Sequence, residues 1–149
     1  MSPNVRIALD AMGGDNAPDI VIAGASLARK RYPYLNLSFI GEGKKLTALI
    51  KKYKNLNESK IIHADDIVAS DARPAQALRH GKKTSMWLAV NEVTTNKADA
   101  IVSAGNTGAL MAISKLQLRM IHGVTRPAIA GFIPTLKGLC CMLDLGANI

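Results

Sequence analysis

Aromatic side chains are scarce in this sequence: one Trp, three Tyr and two Phe make up 4% of 149 residues. No basic stretch is interleaved with them, so there is no base-stacking platform for nucleic acid. Cysteine is scarcer still. Cys140 and Cys141 are adjacent inside an apolar run, too few for a disulfide framework, and they read as buried thiols in a reducing cytoplasm. No apolar run approaches the 18 residues of a membrane-spanning helix. The opening "MSPNVRIALD" lacks a basic segment followed by an apolar one, so a secretory leader is not expected. Motifs of metal and nucleophile chemistry are missing too: there is no H-E-x-x-H, C-x-x-C or G-x-S-x-G. His63, His80 and His122 lie far apart, so no metal is assigned and each reads as a strand-end or surface residue.

Acidic residues are in deficit, 11 against 19 Lys and Arg, for a formal charge of +8. Thirteen of the nineteen basic residues fall between positions 29 and 83, which makes an anionic partner worth weighing. Part of this charge has a plainer use. In "GKKLTALIKKYKN" Leu46, Leu49, Ile50 and Tyr53 make one helical stripe, and Lys44, Lys45, Lys51 and Lys52 fall mainly on the solvated remainder. Apolar residues make up 48% of the chain, enough for a substantial core.

Hydrophobic periodicity switches repeatedly between two and 3.6. Residues 5–9, 34–41, 59–64 and 98–105 read as strands, and 126–134 and 138–146 as two more. Between them, 16–33 opens like a helix: Asn16 can cap, Pro18 suits the first turn and Asp19 complements the dipole. Further helices are predicted at 43–55, 74–83 (short), 85–96 and 107–121, with Met86, Trp87, Met111 and Met120 at core spacing. This alternation predicts a single α/β domain over residues 1–149, three-layered with a mainly parallel sheet. The last strand runs into a glycine turn where a parallel sheet would send a helix back, so the chain reads as the front part of something longer.

Ligands in open α/β sheets bind beyond the carboxyl ends of the strands. Three strand ends here carry unusual polar residues. The first is "DAMGGD", with Asp10, Gly13, Gly14 and Asp15; the second is "SAGNTG", with Ser103, Gly105, Asn106, Thr107 and Gly108; the third is "DLGAN", with Asp144 and Asn148. In the second, glycines allow close backbone approach, Asn106 or Thr107 can cap the following helix, and the first-turn amides suit phosphate or an oxyanion. A simple turn with a helix cap is the plainer use of the same residues. No lysine follows the second glycine as in a Walker loop, and the dinucleotide fingerprint G-x-G-x-x-G is absent.

"LDAMGGDNAP", "RPAQALRHGKKTSM", "DAIVSAGNTGALMA", "RPAIAG" and "LDLGAN" occur in this order along the chain. In order and spacing they resemble the bacterial phosphate acyltransferases of phospholipid synthesis, the acyl-ACP–phosphate transacylases. The resemblance covers essentially the whole chain, while family members are more than twice as long. It implies a fold related to phosphotransacetylase and to the isocitrate and isopropylmalate dehydrogenases. It also implies transfer of a fatty acyl group from acyl carrier protein to inorganic phosphate, without cofactor or metal. The enzyme is expected to be a homodimer, cytoplasmic, and peripheral at the inner face of the membrane through the part not included here. A phosphate- or carrier-binding domain that is catalytically incomplete is the alternative.

On that footing phosphate is itself the nucleophile, so no Ser-His-Asp set is required. The site must hold phosphate in line with a thioester carbonyl and stabilise the oxyanion. The expected donors are the amides of 105–108 with Asn106 and Thr107, and Ser85 and Arg126 are further candidates. Acyl carrier protein is acidic, so Arg73, Arg79, Lys82 and Lys83 are expected to steer it, with residues 29–31 a second basic stretch. Asp10 and Asp15 repel an anion. Asp15 or Asn16 is expected to accept backbone N–H groups where the first helix starts. Asp10 is expected to orient a cation or take a proton from dihydrogen phosphate, or to serve, like Asp15, as a turn-former.

Overall fold

The structure, a computed structural model, describes residues 4–144. It divides into two compact units, Met1–Leu118 and Arg119–Ile149. The first contains β1 (Val5–Asp10), α1 (Asp19–Arg31), β2 (Leu35–Gly41), α2 (Gly43–Ile50), β3 (Lys60–His63), α3 (Pro74–His80), α4 (Ser85–Thr94), β4 (Ala100–Ser103) and α5 (Thr107–Leu118). Its four strands form an all-parallel sheet in the order β3-β2-β1-β4. The chain steps outward from β1 to β3 and then returns to lay β4 on the free side of β1. Strand order therefore reverses between β1 and β4.

Alternation along the strands assigns the two faces. Ile7, Leu9, Leu37 and Phe39 meet Ile22, Ala25, Leu46 and Ile50 of α1 and α2 on one face. Ala8 and Ile40 meet Ala89 of α4 on the other. Outside the sheet, α3 and α5 pack with α4 through Ala77, Met86, Val90, Ala109 and Ile113, with Trp87 alongside. Helices thus cover both faces, giving the three-layer α/β/α arrangement expected from the sequence. Phe39, Ile40, Ile22 and Leu46 are fully buried, each contributing about 1.5–3 kcal/mol by burial.

The lysine-rich helix buries its stripe through Leu46 and Ile50 as expected. At α4 the hydroxyl of Thr84 accepts the Trp87 N–H (3.3 Å) and donates to the Gly81 carbonyl (2.6 Å), a side-chain cap locked from both sides. The start of α1 differs from expectation. Its cap position is Pro18, and no side chain caps it. Asn16 lies too early to serve; its backbone carbonyl accepts the Ile20 N–H (3.2 Å) instead. At the amino ends of the strands Arg6 joins Asp99 by a 2.6 Å ion pair and donates to the Asn96 carbonyl (2.8 Å), tying the start of β1 to the loop before β4.

The second unit holds β5 (Ala130–Thr135) and β6 (Gly138–Leu143), paired antiparallel in a sheet of their own. Both strands were expected, within a mainly parallel arrangement. Two residues, Leu136 and Lys137, join them, far short of the crossover that parallel pairing needs. Cys140 and Cys141 are exposed on this hairpin, not buried. Among its described residues this unit has no helix of its own to lay on either face of the ribbon, and Phe132, Leu139 and Leu143 are exposed with the cysteines.

Candidate functional site

The reversal of strand order between β1 and β4 is where an open α/β sheet opens a crevice, and two of the singled-out turns meet there. Asp10 and Ser103 are register partners at the ends of the two strands. Asp10 is 2% exposed. Its Oδ2 accepts the Ser103 hydroxyl at 2.7 Å, and Ser103 Oγ in turn accepts the Gly105 N–H at 3.1 Å. The Met12 N–H lies 3.4 Å from Asp10 Oδ1, a weak contact. Among the described residues no basic side chain pairs with Asp10.

The glycine pair of the first turn is explained by close approach. A Cβ on Gly13 would lie 2.6 Å from Asp10 Oδ2 and 2.9 Å from both Gly105 N and Ser103 Oγ. Gly14 has φ of +101°, and its Cβ would come within 3.1 Å of the Ala104 carbonyl. The two turns interlock, and side chains would force them apart.

Asn106 caps α5: its Oδ1 accepts the Ala109 N–H (2.9 Å). Its Nδ2 donates to the carbonyls of Ser70 (2.9 Å) and Ala72 (3.0 Å). That amide therefore fastens the 70–72 loop to the start of the helix, and both its ends are occupied by protein. The backbone N–H groups of Asn106, Thr107 and Gly108 have no hydrogen-bond partner among the described residues, nor does the Thr107 hydroxyl. These are the orphan donors of a 12-residue helix. Asn106 and Thr107 line a cleft of about 540 Å³ walled by Met12, Gly14 and Asp15, by the 67–70 loop and by residues 104–107, and the Gly108 amide follows next along the helix. Among the described residues no lysine or arginine lines the cleft, and Asp15 is the one charged residue that does.

Ser85 is 1% exposed beneath the surface, its N–H on the Asp66 carbonyl, and it does not line the cleft. Gly105 and Gly108 flank the turn, with Gly108 facing the Pro74 ring. Arg73, Arg79, Lys82 and Lys83 are exposed along α3 and the turn after it, and Lys83 reaches Asp65 at 3.7 Å. Residues 29–31 end α1, which runs back from the cleft to the opposite end of the strands, ~20 Å away; there they complement the helix dipole. Arg126 and Asp144 belong to the second unit, and Asn148 lies outside the described residues. The 67–70 wall escaped the sequence reading, since "IVAS" carries no motif and becomes a wall only because Asn106 draws the following residues in. Among the described residues no cluster of three or more His, Cys, Asp or Glu could hold a metal.

A family model described as fatty acid synthesis protein matches residues 5–149. Curated relatives named phosphate acyltransferase include that of Rhodospirillum centenum, 51% identical over all of this chain and 42% of its own length. Those of Paramagnetospirillum magneticum and Azorhizobium caulinodans are 49% and 48% identical, again over all of this chain and over 43% and 42% of their own lengths. The chain thus spans well under half the length of these relatives.

Proposed function

The chain belongs to the fatty acid synthesis protein family, and from that premise we propose that its cleft is the phosphate side of an acyl-transfer site. The full-length enzyme would move a fatty acyl group from acyl carrier protein to inorganic phosphate. The observation that carries this reading is the run of unpartnered amides at residues 106–108, on a strand-to-helix turn at the switch point of the sheet. A helix N-terminus supplies both donors and a favourable dipole for an anion. Thr107 adds a hydroxyl on the same rim.

In the reaction a phosphate oxygen attacks the thioester carbonyl, a C–O bond forms, and the C–S bond breaks. The proton of hydrogen phosphate ends on the departing thiol. No protein nucleophile takes part. Asp10 is turned into the body of the domain with Oδ2 on Ser103, which suits orientation better than proton transfer; Asp15 stands on the rim, where it would press phosphate toward the amides. Ser85, Arg126, Asp144 and Asn148 remain candidates for the complete enzyme. The exposed Arg73, Arg79, Lys82 and Lys83 give acyl carrier protein a basic edge to approach, and Arg79→Glu with Lys82→Glu should weaken that association several-fold at low salt. A homodimer held peripherally at the inner membrane face belongs to the same reading; it rests on the family resemblance, and no helix among the described residues is long and apolar enough to span a bilayer.

The test is direct. Inorganic phosphate titrated into the ¹⁵N-labelled chain should shift the amides of Asn106, Thr107 and Gly108 saturably. Shifts elsewhere with none at these three would overturn the assignment. Incubation with acyl-acyl carrier protein and phosphate then separates a catalytic chain, which forms acyl phosphate, from one that only binds.

A further inference from the structure

We propose that Ser103 is a positioning residue: anchored on the buried Asp10 carboxylate, it withdraws the Gly105 amide from the cleft and so sets which amides face the phosphate. This rests on the phosphate reading of the cleft given above.

The direction of the network follows from proton counting. A serine hydroxyl has one proton and two lone pairs. Its proton goes to the nearer, charged acceptor, Asp10 Oδ2 at 2.7 Å, the short distance of a charge-assisted bond. The lone pairs are then left facing the Gly105 N–H at 3.1 Å. The chain runs Gly105 N–H to Ser103 Oγ–H to Asp10, and it cannot run backwards because a carboxylate only accepts. With Gly105 bound inward, the unpartnered donors begin at Asn106.

Packing reinforces this arrangement. The position of Gly105 is hemmed by the Met86 methyl and the Gly13 Cα, which would lie 3.0 and 3.3 Å from a Cβ there. The turn is thus held by sterics on one side and by one hydroxyl on the other. Asp10 is 2% exposed, does not line the cleft and has no basic partner among the described residues. A buried carboxylate with only neutral donors is costly, and its neighbours show what it holds: the hydroxyl that fixes the second turn. The acid in the "DAMGGD" turn thereby has a task that keeps its charge aimed away from the anion.

The test compares the wild-type chain with Ser103→Ala and Ser103→Thr in the phosphate titration, with hydrogen exchange and chemical shift read at the Gly105 amide. Ser103→Ala should move the Gly105 amide resonance, speed its exchange and weaken phosphate binding about five- to tenfold, the effect of one lost hydrogen bond. Ser103→Thr keeps the hydroxyl and should restore both. Wild-type affinity in Ser103→Ala overturns the role, and so does weakened binding with the Gly105 amide undisturbed. A wild-type chain whose 106–108 amides ignore phosphate overturns the phosphate reading, and this role with it.

Discussion

At the scale of single residues, two glycines of the same unit should respond to alanine in opposite directions. Gly13 sits where a methyl would meet Asp10 Oδ2 at 2.6 Å and backbone nitrogen at 2.9 Å. Gly13→Ala should therefore cost about 1–3 kcal/mol through overpacking. Gly24 lies in α1 with nothing within 4 Å of its would-be Cβ. Gly24→Ala should stabilise by about 0.5–1 kcal/mol, since alanine has the better helix propensity. Urea midpoints of the two variants check both signs, and equal shifts would refute the interlocked-turn explanation. The Arg6–Asp99 pair makes a pH prediction. Hydrogen bonds from the Arg6 side chain and backbone hold the Asp99 carboxyl at about 2, below its ordinary 3.8. A depressed folded-state value means the stabilisation is complete above the ordinary value and is lost as pH falls through about 2. The stability gap between wild type and Asp99→Asn should be constant from pH 7 to 5 and close between about pH 4 and 2. High salt should narrow it throughout, because the pair is solvent-exposed.

At the scale of elements, the cap of α4 is the sharpest local test. Thr84 is buried and bonded on both sides, to the Gly81 carbonyl and the Trp87 amide. Thr84→Ala should cost about 1–2 kcal/mol, whereas Thr84→Ser, which keeps the hydroxyl, should cost less than half of that. Thermal melts of the two variants compare them, and equal losses would assign the effect to packing. The strand alternation of "VRIAL" and the stripe of "LTALI" were legible in the sequence because periodicity, like capping, is local. The two-residue link of β5 and β6 was equally local, and it alone requires antiparallel pairing. What could not be read was contact across distance. Nothing near "DAMGGD" reveals that Gly13 abuts Gly105, or that the Asp10 carboxylate holds a serine 93 residues away. Nothing in "SAGNTG" reveals that the Asn106 amide is committed to carbonyls of the 70–72 loop. Sequence pattern located the turns; their interlocking, which decides the free donors, is tertiary. The exposure of Cys140 and Cys141 was hidden for a related reason, since alternation marks two faces of a strand without saying what covers either.

At the scale of the whole molecule, the two faces of the sheet are covered unequally. On the α4 side Ile101 of β4 contributes to the core. On the α1 side Val102 is 55% exposed and Ile20 of α1 is 60% exposed. Between them runs an apolar groove of about 760 Å³, bounded also by Ile7, Leu9 and Val21. A contiguous apolar patch of this kind recruits apolar solutes from water. The chain should enhance the fluorescence of an anilinonaphthalene sulfonate dye under native conditions, at a concentration well below any unfolding transition. Val102→Asp and Ile20→Asp should each reduce that enhancement by more than half. Because both side chains are already more than half in water, each substitution should shift stability by only ~0.5 kcal/mol. Phe39→Ala, which empties a fully buried site, should instead cost about 3–5 kcal/mol without quenching the dye at low temperature. Dye binding that survives both aspartates would place the open apolar surface elsewhere, with the β5–β6 hairpin as the next surface to probe.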